Sequence, residues 1–320
     1  MESKIVTGDQ NGKNQDAGTH YEHKADESFK SKALKWVVWA MRMKGNPRTK
    51  KKLETGLNAA HEQPEPTPSI MKNFNVTTTQ IDGRNVFTIT PKENKAQRHI
   101  LYIHGGAYVF NTSAHQWGMV ETLVRETKCT FTVPDYPMAP QHTYMDAYRF
   151  MESVYKKVIS EVNPNDLILL GDSSGGGFVL GLAQKIKQDG LPLPSQVIML
   201  APWLDITCSN PEIKEIDKDD VLSSVDNLKM AAEAFTKGGD INHHLVCPIH
   251  GPLEGLPKLS LFIGTHDIFY ADAKKFKALC DQKGVSLNYY VYPKMGHVWM
   301  VMSIAEAEHA IQQIKNLILA

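Results

Sequence analysis

The chain has 320 residues, 42% of them hydrophobic, which is enough to bury a substantial core in one large domain or two smaller ones. Lysine plus arginine and aspartate plus glutamate each total 35, so the formal net charge is zero and neither a nucleic-acid partner nor an acidic tail is expected. Cys129, Cys208, Cys247 and Cys280 lie far apart and form no C-x-x-C pair, which argues against a disulfide framework or a zinc knuckle.

Residues 1–26 are polar and lack the apolar core of a secretory signal, so a mobile tail is expected there. No apolar stretch nearby approaches the ~20 residues that span a bilayer, and a soluble, cytoplasmic protein is expected. Over 29–41, Phe29, Ala33, Trp36, Val37, Ala40 and Met41 recur at helical spacing, which predicts an amphipathic helix burying that stripe. Lys30, Lys32, Lys35, Arg42, Lys44, Arg48, Lys50, Lys51 and Lys52 accompany it, with no acidic residue between Phe29 and Leu53. A solvated basic face is the plain expectation; weak contact with an anionic membrane surface or an acidic ligand is the alternative. A second helix is predicted over 48–62, ending at a linker that contains Pro64, Pro66 and Pro68.

Beyond the linker, 75–80 and 85–90 alternate like strands around Asp82-Gly83, a dipeptide suited to a type I′ hairpin. Apolar strand candidates at 99–104, 130–134, 167–171, 197–201, 259–264 and 287–292 then alternate with helical patterns near 113–127, 146–161, 175–188, 225–237 and 272–283. That order predicts an α/β fold with a largely parallel sheet covered on both faces, its chemistry gathered just beyond the strand carboxyl ends.

The run at 167–170 feeds into Gly171-Asp172-Ser173-Ser174-Gly175, a G-x-S-x-G sequence followed by a helical pattern. In a strand, tight turn and helix context this motif exposes its central serine as a nucleophile, while glycines two residues either side avoid collisions with the turn. Ser173 is flanked correctly; Ser174 has Asp172 two residues before it and is not. A P-loop is the other glycine-rich reading, and the Gly-Lys-Ser/Thr ending it needs is missing. Upstream, His104-Gly105-Gly106-Ala107 is close to the H-G-G-G loop that supplies oxyanion donors. The N–H groups of Gly105, Gly106 and Ser174 are the expected donors, with His104 a support for the loop.

Asp267 stands just past the strand at 259–264, and His297 just past the strand at 287–292. The order Ser173, Asp267, His297 is the order in which a nucleophile, its orienting acid and its base follow one another in this kind of sheet. Asp205 is the better rival acid, and Asp272 is expected to cap the following helix. His115, His142, His243, His244, His250 and His266 are expected on the surface or in loops.

Four blocks in order, His104-Gly105-Gly106-Ala107, Asp135-Tyr136-Pro137-Met138-Ala139-Pro140, Gly171-Asp172-Ser173-Ser174-Gly175-Gly176 and Ala201-Pro202-Trp203-Leu204-Asp205, resemble the hormone-sensitive-lipase-like family of bacterial esterases. Supporting matches at 248–257 and 264–272 extend the resemblance over about residues 64–310. It implies an α/β-hydrolase fold, Asp267 as acid at the head of an Asp-x-x-x-x-Asp stretch, His297 as base, no cofactor or metal, and a lid built from N-terminal helices. The implied organisation is a tail at 1–26, a helical cap at 27–63 and a catalytic domain at 64–320. Ala107 departs from the family's third glycine, Ser174 from alanine and Gly177 from asparagine, and the added methyl of Ala107 argues against bulky alcohols. The resemblance implies hydrolysis of small-molecule esters; the lack of long apolar lid loops points to short to medium acyl chains, and a homodimer is left open. An arylformamidase-like amidase shares the same groups. A ligand-binding member that has lost catalysis is the non-enzymatic alternative, and it would lack the histidine present at 297.

Overall fold

The computed structural model describes residues 18–41, 44, 54, 65–93 and 96–320. Within them, nine strands form one sheet: β1 (His20–Glu22), β2 (Asn75–Ile81), β3 (Arg84–Thr90), β4 (His99–Ile103), β5 (Thr130–Pro134), β6 (Leu167–Asp172), β7 (Gln196–Leu200), β8 (Lys258–Gly264) and β9 (Leu287–Tyr292), in the spatial order β1-β9-β8-β7-β6-β4-β5-β3-β2. β3 is antiparallel to both β2 and β5, and every other pairing is parallel. Ile81 pairs with Arg84 across Asp82-Gly83, both at positive φ, so the expected two-residue hairpin is present. β5, β6 and β7 are buried along their whole length, and burial on both faces is why 167–170 and 197–200 read as unbroken apolar runs.

Successive strands run outward from β4 in two directions, β5 to one side and β6 through β9 to the other. The chain therefore reverses its order at β4, and ligands of open α/β sheets bind in the crevice such a reversal creates. The covering helices are α1 (Phe29–Ala40), α2 (Pro68–Asn73), α3 (Ala114–Thr127), α4 (Tyr144–Ile159), α5 (Ser174–Gln188), α6 (Ile213–Ile216), α7 (Val225–Thr236), α8 (Tyr270–Lys283) and α9 (Ala305–Leu319). α5 is buried on nearly all sides and follows β6 directly, so the element carrying Ser173 is fixed at the centre of the molecule. Among the described residues no helix is long and apolar enough to cross a membrane.

The N-terminal segment departs from its expectation twice. Residues 20–22, assigned from the sequence to a mobile tail, form the edge strand β1 against β9, where the Tyr289 N–H donates to the Thr19 carbonyl at 2.7 Å and the His23 N–H to that of Val291 at 2.9 Å. Tyr21 and His23 stack among Tyr292 and His309, and the N–H and hydroxyl of Ser28 both donate to the Glu306 carboxylate. α1 forms as predicted, capped by Ser28, but it buries Ser31 and Val38 rather than the expected stripe. Phe29, Trp36 and Trp39 are 87%, 66% and 67% exposed. The cleft that receives α1 is lined by Leu222, Met295 and Trp299 and accepts the smaller Leu34 and Val38. The predicted helix over 48–62 lies outside the described residues except for Glu54.

Candidate active site

β6 ends at Asp172 and α5 begins at Ser174, so Ser173 alone makes the turn, at φ 54° and ψ −122°. A non-glycine residue in this region is strained and persists only where its surroundings over-determine it. Here the Ser173 N–H donates to Leu200 at 2.8 Å, and its carbonyl accepts from Trp203 at 2.9 Å and Gly177 at 3.2 Å. The turn closes because two neighbours lack a Cβ: one on Gly171 would lie 2.3 Å from the Gly175 oxygen, and one on Gly175 would lie 2.1 Å from the Ile103 oxygen.

The residues predicted from three distant stretches meet at this point. His297 Nε2 lies 2.8 Å from Ser173 Oγ, and His297 Nδ1 lies 2.7 Å from Asp267 Oδ2. Asp267 is fully buried and its other oxygen accepts the Phe269 N–H at 3.0 Å, which fixes the carboxylate plane. An ionised Asp267 requires the proton on Nδ1, so Nε2 is left to accept from the Ser173 hydroxyl. Burial opposes charge on His297, but the charge and hydrogen bond of Asp267, helped by Asp220 and Asp172, outweigh it and hold the imidazole above its usual pKa. Burial likewise raises the Asp267 carboxyl, against the pull of His297. The rival acids are engaged elsewhere. Asp205 accepts the N–H and hydroxyl of Thr207, and Asp272, buried inside the first turn of α8 rather than capping it, accepts from Asn210 and is pushed up to about 6.

The H-G-G loop corrects one assignment. The Gly105 N–H donates to Asp172 Oδ1 at 3.0 Å, so it is not available to an oxyanion. Asp172 also accepts from the Tyr102 hydroxyl at 2.5 Å and from Gln116 Nε2 at 2.9 Å, and Gln116 holds the Gly105 carbonyl as well. These three side chains bolt the loop to the elbow, and the sequence reading missed all of them. The available signal was Asp172 itself, a carboxylate one residue before the serine at the end of a buried strand. His104 is a loop support: its Nδ1 lies 2.7 Å from the Gly105 carbonyl, its ring packs against Tyr136, and burial lowers its pKa. Past Gly105 the backbone turns sharply, with Gly106 at φ 135° and Ala107 at φ 52°, and both line the pocket above Ser173.

That pocket has a volume of about 460 Å³. Ser173 and His297 lie in its wall, with Phe110, Leu222, Leu228, Phe269 and Val301 supplying apolar surface and Asn111 and Asn227 polar groups. Of the histidines set aside, His115 also reaches the lining. A second carboxylate unforeseen from the sequence stands behind the acid: buried Asp220 accepts the N–H groups of Leu222 and Ser223, both at 2.8 Å, and that of Ile268 at 3.1 Å. It ties a pocket-lining loop to the residue next to Asp267. Among the described residues no group of three or more His, Cys, Asp or Glu is arranged to hold a metal ion.

Comparison with known proteins agrees with this architecture. Residues 100–301 match the model of an α/β-hydrolase-fold family. An esterase of Acinetobacter venetianus is 28% identical over 245 residues, covering 74% of this chain and 81% of its own. An acetyl-hydrolase of Streptomyces hygroscopicus is 26% identical over 203 residues, 63% of this chain and 68% of its own. The crystal structure of an esterase from the bacterial hormone-sensitive lipase family superposes with a TM-score of 0.79 over 92% of this chain and 99% of that one; at 21% identity the likeness is one of fold. With the family model spanning more than half of the chain, and with esterases, an acetyl-hydrolase and a triacylglycerol lipase among the relatives it resembles, the chain belongs to the α/β-hydrolase-fold family.

Proposed function

We propose that the protein hydrolyses carboxylic esters of short to medium acyl chains by a double displacement at Ser173. His297 Nε2 takes the hydroxyl proton as Ser173 Oγ attacks the ester carbonyl, and Asp267 holds the imidazole in the required tautomer and stabilises its charged form. The tetrahedral oxyanion is held by the N–H groups of Gly106, Ala107 and Ser174. His297 then gives its proton to the departing alcohol, leaving an acyl group on Ser173. Water, deprotonated by the same imidazole, cleaves that bond to release the acid and restore the serine.

The observation that carries this reading is the unbroken series Asp267, His297 and Ser173 at 2.7 and 2.8 Å, opening into a mainly apolar pocket. The pocket's volume of about 460 Å³ and the acetyl-hydrolase among the relatives support a small acyl group. The test is turnover of p-nitrophenyl acetate and butyrate. Ser173→Ala should lose activity by on the order of 10⁴-fold or more; wild-type turnover by that variant refutes the mechanism. A formamide panel beside the ester panel separates the amidase alternative.

A further inference from the structure

α1 is apolar on two opposite faces. Leu34 and Val38 point into the cleft formed with Leu222, Met295 and Trp299, next to His297. At 100° per residue, Phe29, Ala33, Trp36 and Ala40 fall on the side opposite these, with Trp39 at its margin. All five are exposed, Phe29 being the most exposed large apolar side chain in the described chain. Lys30 and Lys32, also exposed, flank the stripe on its two sides. Lys35 lies nearer the protein, where it pairs with Glu27 and donates to the Lys294 carbonyl. A stripe of large aromatics rimmed by cations is the composition of a helix that lies in a membrane interface, where amphipathic rings settle at head-group depth.

We propose that this outward face of α1 docks the protein on an anionic phospholipid surface, with Phe29, Trp36 and Trp39 entering the interface and Lys30 and Lys32 meeting head-group phosphates. The charge pattern favours that occupant over a second copy of the chain. Two copies meeting face to face would bring Lys30 and Lys32 of one copy against the same cations of the other, on a helix that holds no carboxylate. An anionic surface turns Lys30 and Lys32 into attractions that salt weakens. The inner face of the same helix shares Leu222 with the substrate pocket, so docking would bring that pocket close to lipid-borne esters. The docking does not depend on the hydrolytic reading.

The test is co-sedimentation of the full chain with vesicles of phosphatidylcholine alone or mixed with phosphatidylglycerol. Wild type and Ser173→Ala should both bind the anionic vesicles, prefer them to the neutral ones and release in high salt. Trp36→Ala/Trp39→Ala and Lys30→Glu/Lys32→Glu should each weaken partition by about tenfold or more. All four substituted side chains are exposed, and unchanged turnover of p-nitrophenyl acetate without vesicles would show both variants folded. Three results overturn the proposal: no preference for anionic vesicles, partition unaffected by either pair, or a dimer without vesicle binding that the tryptophan pair dissociates.

Discussion

The carboxyl rim of the sheet and the N-terminal segment are built by opposite means. At the rim, each side chain is fixed by groups that are themselves buried: Ser173 by three backbone hydrogen bonds and two close glycine contacts, His297 by Asp267, and Asp267 by Phe269. In the N-terminal segment, β1 borrows its geometry from the open edge of β9, and α1 touches the body along one narrow line while leaving its larger residues outside. Pre-organised chemistry needs the first kind of construction. The second kind suits an element whose outer face serves something other than the core.

The largest expected effects lie at the rim. Gly175→Ala puts a Cβ 2.1 Å from a backbone oxygen at the end of β4, a neighbour unable to yield. Thermal melts should show a loss of stability of several kcal/mol or failure to fold, as expected of overpacking at a strained site. His297→Ala should lower kcat by on the order of 10⁴-fold or more, with the melting temperature little changed. Asp172→Ala releases the H-G-G loop from the elbow, and a fall of roughly 10²-fold in kcat is expected because the oxyanion donors lose their alignment. If kcat survives that change while both glycine and histidine variants fail, the loop is held by something other than this carboxylate.

The rim was legible from the sequence for the same reason it is rigid. Ser173, Asp267 and His297 each follow an apolar run, and a strand both of whose faces are buried announces itself as such a run. Gly105 was misassigned because spacing does not say which N–H a neighbouring side chain will claim; Asp172 claims it across 67 positions of sequence. Asp220 was invisible because its three partners are backbone groups of loops with no pattern of their own. β1 carries no apolar alternation at all, since its stability comes from an edge it did not encode. α1 carries two apolar faces, and periodicity alone favours the larger stripe, whereas the cleft beside Trp299 fits the smaller one.

A finer test uses pH. The proposed mechanism requires a neutral His297, whose pKa is held above the usual 6.5, so kcat/KM should fall as pH drops through a midpoint above 6.5. Asp220 favours the charged imidazole, and Asp220→Asn should therefore move that midpoint toward lower pH while leaving the plateau rate within about tenfold. An unmoved midpoint would make Asp220 a structural clamp only. The smallest effect is expected at the other region: Glu306→Ala removes the acceptor for Ser28 and should cost about 1–2 kcal/mol of stability, with turnover of a soluble ester within about twofold. A large loss of turnover there would mean that the N-terminal segment helps to build the site.

Labelling with a fluorophosphonate that forms a stable adduct with an activated serine tests the central claim most directly. Digestion and mass spectrometry should find a single adduct on Ser173, appearing in step with the loss of ester turnover and nearly abolished in His297→Ala. Full inactivation with the adduct on another residue, or unlabelled Ser173 in an enzyme that has lost its activity, would contradict it.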